Sequence, residues 1–131
     1  MNKAIQFLSE AKTFYLATTE KDQPRVRPFG AVSEFEGKLY ICTNNKKPVF
    51  AQILENPKVE ISAMDNTGRW IRISGSLAVD SRKEAKEAML EANPSLNNMY
   101  RIEDGIFEVL YFTEGTATIL SFKGEKEEIQ L

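Results

Sequence analysis

Residues 14–44 read FYLATTEKDQPRVRPFGAVSEFEGKLYICTN, and this stretch decides the fold. Three runs rich in Val, Ile, Thr and aromatic residues, Phe14–Thr19, Arg25–Phe35 and Leu39–Asn44, are separated by the turn signals Lys21-Asp22-Gln23-Pro24 and Glu36-Gly37. Runs of this composition between such clusters read as strands, and turns this short join antiparallel neighbours. Further on, Val59–Met64 and Trp70–Val79 flank Asp65-Asn66-Thr67-Gly68 and add two more strands. Phe107–Phe112 and Thr116–Phe122 read as a closing hairpin around Glu114-Gly115, and the charged tail at 123–131 is expected to be mobile.

The helices are few. Ala4, Ile5, Phe7, Leu8 and Ala11 follow the 3.6-residue period over 3–12. A second helix is expected over Pro48–Glu55, with Asn45 as its cap, Pro48 in its first turn and Asn56-Pro57 as its stop. A third starts at the Ser81/Glu84 capping box, repeats Ala85, Ala88, Met89 and Ala92, and ends at Asn93-Pro94; Leu96–Arg101 adds a short helical turn. No repeat or linker divides residues 1–131, so they are read as one domain. The fold class is mainly β (α+β): a small barrel of six to seven strands with two to four peripheral helices.

Composition narrows the chemistry. The chain is 42% hydrophobic and 27% charged, contains one cysteine, and has no histidine. Without histidine there is no Ser-His-Asp or Cys-His relay and no histidine-ligated zinc, iron or haem. Cys42 cannot close an intrachain disulfide, lies in the apolar run Leu39–Thr43 and reads as a small buried hydrophobe. No signal peptide or membrane span is read, so a cytoplasmic setting is expected. The net charge of −2 is uneven, with −5 from Ile102 onward and +3 before it.

Three segments in the basic part carry candidate chemistry. In Thr43-Asn44-Asn45-Lys46-Lys47-Pro48 two lysines stand where a helix begins, although the positive end of the helix dipole disfavours cations there. A bound phosphate would resolve the conflict; two lysines reaching into water are the plainer alternative. In Arg25-Val26-Arg27-Pro28-Phe29-Gly30, alternation puts both arginines on one strand face about 7 Å apart, suited to phosphate oxygens or to ordinary ion pairs. Pro28 implies an edge or a bulge. In Trp70-Ile71-Arg72-Ile73-Ser74-Gly75 the isoleucines face the core and Trp70 and Arg72 face out, fit for a protein interface, a cation–π pair or the wall of a flat ligand. Together these segments favour a phosphorylated aromatic cofactor, and a flavin needs no histidine from the protein.

The chain resembles the FMN-binding split-barrel family typified by pyridoxamine 5′-phosphate oxidase. The likeness rests on Pro24-x-x-Arg27-Pro28-Phe29, on Cys42-Thr43-Asn44 followed by Lys46-Lys47, on Gln52-Ile53-Leu54-Glu55-Asn56-Pro57-Lys58-Val59, and on Trp70-Ile71-Arg72-Ile73-Ser74-Gly75, in that order over about residues 10–80. The resemblance implies a split β-barrel homodimer with FMN at the subunit interface. It implies that Arg27, Lys46 and Lys47 hold the phosphate with help from Arg25. Pro28 and Phe29 would pass the ring edge, Thr43 and Asn44 would meet the phosphate or ribityl chain, and Trp70 would stand near the ring. The oxidase's substrate histidine and the histidine of nitroimidazole-reductase relatives are absent, which leaves the short bacterial, general-stress-protein-like members as the better likeness.

The leading expectation is an FMN-dependent oxidoreductase or flavin reductase that moves electrons from NADH or NADPH to a small acceptor, with no catalytic side chain and no metal. A flavin-binding stress or storage protein without turnover is the alternative. A deazaflavin-binding relative and a barrel for single-stranded nucleic acid stand behind these, the latter disfavoured by negative net charge and a nearly solitary tryptophan.

Overall fold

The computed structural model describes residues 2–131. In chain order the elements are α1 (Lys3–Ala11), β1 (Phe14–Glu20), β2 (Gln23–Phe29), β3 (Val32–Phe35), β4 (Lys38–Asn44), α2 (Pro48–Glu55), β5 (Lys58–Met64), β6 (Arg69–Asp80), α3 (Lys83–Ala92), a 3-10 turn (Pro94–Asn98), β7 (Phe107–Ser121) and β8 (Lys126–Gln130). Every strand pairing is antiparallel, in the order β2-β1-β5-β6-β7-β4-β3, with β8 also on β7. The fold is the expected β-rich barrel with peripheral helices, although the strands number eight.

The expected strand Arg25–Phe35 is two strands. It breaks at Gly30-Ala31, and its halves occupy opposite ends of the sheet order, β2 on β1 and β3 on β4. Two residues joining the first and last strands force the sheet to curl, and this closes one side of the barrel. Pro28 thus lies on an edge strand, where a missing N–H is tolerated.

The expected hairpin around Glu114-Gly115 is absent. Phe107–Ser121 is one continuous strand that pairs with β4 over Phe107–Tyr111, with β8 over Thr116–Leu120, and with β6 along most of its length. Gly115 serves close approach instead of a turn: it lies opposite Gly75, and a Cβ on Gly75 would stand 2.2 Å from the Glu114 carbonyl oxygen. The tail is likewise ordered, because Ile129 and Leu131 pack on the barrel core and the Leu131 N–H donates to the Gly115 carbonyl at 3.0 Å.

Alternation of apolar residues fills the barrel. Phe14, Leu16, Ile61, Ile71, Ile73, Leu39 and Ile41 point inward at no more than 1% exposure, and Ile5 and Leu8 of α1 pack on them. A second cluster lies outside the barrel, where Tyr40, Cys42, Phe107 and Val109 meet Ala85, Met89, Leu96 and Tyr100. Strand β4 is therefore buried on both faces.

Two helix caps differ from expectation. Asn45 does not cap α2, because its side-chain amide donates to the Gly105 carbonyl and the Glu108 carboxylate; Lys47 takes the N-cap position with no side-chain cap. The Ser81/Glu84 capping box does not form, because Asp80 accepts from the Arg82 N–H and α3 starts after Arg82. Asp80, only 6% exposed, also accepts from the Tyr40 hydroxyl at 2.6 Å and from the Arg82 guanidinium, which in turn bridges to Glu36.

The Arg82 bonds hold the Asp80 carboxyl far below the usual carboxylate range, against the opposing effect of burial, with Tyr40 contributing. A carboxylate depressed in the folded state contributes stability above its unfolded pKa of about 3.9 and loses it as pH falls through the lower folded value. Asp80→Asn is therefore expected to lose about 1.5–3 kcal/mol at pH 7. In urea melts the gap to wild type should shrink below about pH 4; a gap that stays constant down to strongly acid pH refutes the role.

Candidate functional site

Arg27 organises the site. From the edge strand β2, its Nη1 donates to the Leu16 carbonyl (3.1 Å) and to Thr18 Oγ1 (2.8 Å), both on β1, while Nη2 donates to Gln52 Oε1 (2.7 Å) on α2. The Thr18 hydroxyl closes the ring by donating to the same Gln52 oxygen at 2.6 Å. Thr18 and Gln52 are 3% and 7% exposed, so the guanidinium sits against a rigid, neutral frame. Of its five N–H donors, Nε–H and one Nη2–H have no partner among the described residues.

Arg27 also has no carboxylate. Among the described residues no acidic side chain forms an ion pair with Arg27, Lys46 or Lys47. Partial burial and the nearby Arg25 charge both lower the Arg27 pKa, so the cation is held where its charge is uncompensated. Beside it, α2 begins at an N-terminus without a side-chain cap, and the first turn of a helix has N–H groups with no intrahelical acceptor.

Arg27, Pro28, Lys47 and Val49 line both of two adjoining cavities, an inner and an outer compartment. The inner one, about 330 Å³, runs past Phe29, Gly30, Ala31, Cys42 and Thr43 to a far wall of Asn93, Ser95, Leu96, Met99 and Tyr100. The outer one, about 660 Å³, continues past Arg25, Glu20 and Gln52. No carboxylate or imidazole lines the inner compartment. Its thiol, Cys42, is pushed up to about 12 by burial, with Lys47 opposing, and stays protonated at neutral pH. No cluster of His, Cys, Asp and Glu fit for a metal occurs among the described residues.

The structure thus gathers Arg25, Arg27, Pro28, Phe29, Thr43 and Lys47 around these two cavities. Arg25 is paired with Glu20 at 2.9 Å in an exposed ion pair. Asn44 stands behind the inner wall, donating to the Tyr100 hydroxyl and accepting from the Lys46 N–H, while the Lys46 side chain is exposed. Trp70 lines neither cavity of its own chain; its ring packs on Phe122, with centroids 4.8 Å apart. Sequence reading missed Thr18 and Gln52, which are neutral and read as ordinary strand and helix residues. It also missed the wall from Asn93 to Tyr100, distant in sequence from every basic segment.

The family model for pyridoxamine 5′-phosphate oxidase matches residues 1–105, most of the chain. The chain belongs to the pyridoxamine 5′-phosphate oxidase family. Among solved structures it is similar to a NimC/NimA family protein from Clostridium acetobutylicum, at 61% identity and TM-score 0.93 over 97% of this chain and 91% of that one. It shares its fold with General Stress Protein 26 from Bacillus anthracis, at 19% identity and TM-score 0.72 over 95% of each chain. It also shares its fold with a pyridoxamine 5′-phosphate oxidase-related, FMN-binding protein from Nostoc punctiforme, at 15% identity and TM-score 0.62 over 96% of this chain and 90% of that one. The general-stress-protein likeness is thus one of fold, while of these three the NimC/NimA protein carries the greatest sequence likeness. A search of curated proteins finds no match. No helix among the described residues is long and apolar enough to cross a membrane.

The missing counter-charge can be supplied by mutation. Gln52→Glu places a carboxylate at the Arg27 Nη2 contact, so it is expected to raise stability in dilute buffer. Added inorganic phosphate is expected to raise the melting temperature of wild type, and the variant should lose most of that rise. An equal phosphate response in both proteins would show that Arg27 is not where the anion binds.

Proposed function

We propose that the protein is an FMN-binding oxidoreductase or flavin reductase that carries electrons from NADH or NADPH to a small acceptor. The observation that carries this reading is the uncompensated Arg27–Lys47 pair at an uncapped helix N-terminus, at one end of a compartment of mixed apolar and neutral polar lining. The residues present fit FMN: the paired cations suit its phosphate, and the compartment offers its ring no competing acid or base. Bound FMN supplies the hydride and electron chemistry itself.

The chain's own residues bind and orient. The Thr18–Gln52 frame fixes the end-on edge of Arg27 and turns its remaining two donors to the phosphate, with Lys47 opposite and Lys46 and Arg25 assisting. Pro28 and Phe29 flank the ring edge, Thr43 and Asn44 the ribityl chain. Leu96 and Tyr100, both buried, close the far wall.

The functional unit in this reading is a homodimer, with two sites at its seam and Trp70 near the partner's ring. In support, Pro28, Tyr15, Ser62, Arg72 and Thr118 align across five neighbouring strands. The same outward face exposes Tyr15, Val26 and Met64. A reducing, cytoplasmic setting agrees with the single buried Cys42.

Arg27→Ala combined with Lys47→Ala is expected to raise the Kd for FMN at least about 100-fold, two charge-assisted contacts being lost. Circular dichroism should show the fold retained, and unchanged affinity rejects the assignment. A flavin-binding protein without turnover is the second reading, favoured by the lack of a carboxylate or imidazole in the inner compartment. Rapid bleaching of bound flavin by NADH or NADPH under nitrogen supports the enzyme; flavin that stays oxidised supports the binder.

A further inference from the structure

The far wall of the inner compartment holds a hydroxyl with an unused proton. Tyr100 lines that wall at 8% exposure, its ring stacked on buried Phe107 with centroids 4.9 Å apart and its N–H bonded to the Leu96 carbonyl at 2.9 Å. One side-chain bond reaches its oxygen, from the Asn44 amide at 3.2 Å. The direction of that bond is fixed by Lys46. The Lys46 backbone N–H can only donate, so the Asn44 atom it meets at 3.0 Å is the amide oxygen. The other end of the amide is then its NH2, which also can only donate, and the Tyr100 oxygen must accept. The Tyr100 O–H is therefore left without an acceptor among the described residues. A buried donor in that state costs stability until a ligand supplies the acceptor.

We infer that the Tyr100 O–H donates to the flavin ring at N1 and the C2 carbonyl, the acceptor edge beside the ribityl chain, and that Asn44 is the positioning residue behind it. This rests on the FMN reading of the inner compartment. With the phosphate on Arg27 and Lys47, the ring is the end of the molecule that reaches the wall opposite, where the lining from Asn93 to Tyr100 carries no charge. In the same reading Thr43 and Asn44 flank the ribityl chain, so a hydroxyl bonded to Asn44 adjoins the ring edge next to that chain. Reduction of a flavin places negative charge on this edge. A hydrogen bond to a charged acceptor is worth about twice one to a neutral acceptor, so the donor favours the reduced form over the oxidised one. Tyr100 thereby sets the potential at which the bound flavin takes electrons, one of the means by which a protein tunes its cofactor.

The test uses full-length protein loaded with FMN, in wild type, Tyr100→Phe and Asn44→Ala. It reads the Kd for oxidised FMN and the midpoint potential from a spectroelectrochemical titration. Tyr100→Phe keeps the aromatic ring for the stack on Phe107 and removes only the hydroxyl. It is expected to weaken oxidised FMN about 2- to 10-fold and reduced FMN at least about fivefold more. At about 30 mV per tenfold, the midpoint potential falls by at least about 20 mV. Asn44→Ala keeps the hydroxyl but releases its orientation, so a smaller fall in the same direction is expected. A purely structural Tyr100 would change the melting temperature without moving the potential. An unmoved potential in Tyr100→Phe thus overturns the contact and leaves the FMN reading standing. An unmoved potential in Asn44→Ala overturns the positioning role of Asn44, and the whole proposal should Tyr100→Phe not fold. Wild type that takes up no FMN overturns the contact together with the reading it rests on.

Discussion

The site depends on one guanidinium that is tightly held and not neutralised. Arg27 ties the edge strand β2 to β1 and to α2 through three hydrogen bonds, all to neutral oxygens. A carboxylate at Gln52 would hold the same three elements together and would cancel the charge. A neutral amide holds them and leaves the charge available. Lys47, at the start of α2 where the helix dipole works against it, repeats the same design: a locally unfavourable cation that an anion makes favourable. These two choices cost local stability and leave two cations that an anion would neutralise.

The barrel supplies the geometry for that site. Gly30-Ala31 joins the two ends of the sheet order, so the β2 edge comes to lie against the end of β4, and Arg27 comes to lie near Lys47. The long β7 strand holds β4 with one half and β8 with the other, and the paired glycines at 75 and 115 let β6 follow it closely. Asn93 at the end of α3, the 3-10 turn and the residues up to Tyr100 then wall the cleft on the side away from the cations. The result is a cationic waist opening into a compartment of apolar and neutral polar side chains without carboxylate or imidazole, which suits a cofactor that brings its own chemistry.

Much of this is legible in the sequence. Period-2 alternation and short polar turns mark the strands, and the misplaced lysines and paired arginines mark the cations. What was hidden depends on long-range packing. Glu114-Gly115 has the composition of a turn, and only the strand opposite shows that Gly115 is there for space. The tail is charged enough to read as solvent-borne, yet Ile129 and Leu131 alternate onto the core. Gly30-Ala31 is too small and apolar to read as a break, and the cap signals at Asn45 and Ser81 lose to Glu108, Gly105 and Asp80, partners remote or on the preceding strand. Gln52, the residue that sets the Arg27 charge free, reads as any polar helix position.

The most direct test of this account is a crystal structure of the protein with FMN. The phosphate is expected on the Nε and Nη2 edge of Arg27, with N···O distances of about 2.7–2.9 Å, the Thr18–Gln52 frame intact, and Lys47 on the opposite side. A phosphate bound elsewhere, with the Arg27 edge still without an anion, would contradict it.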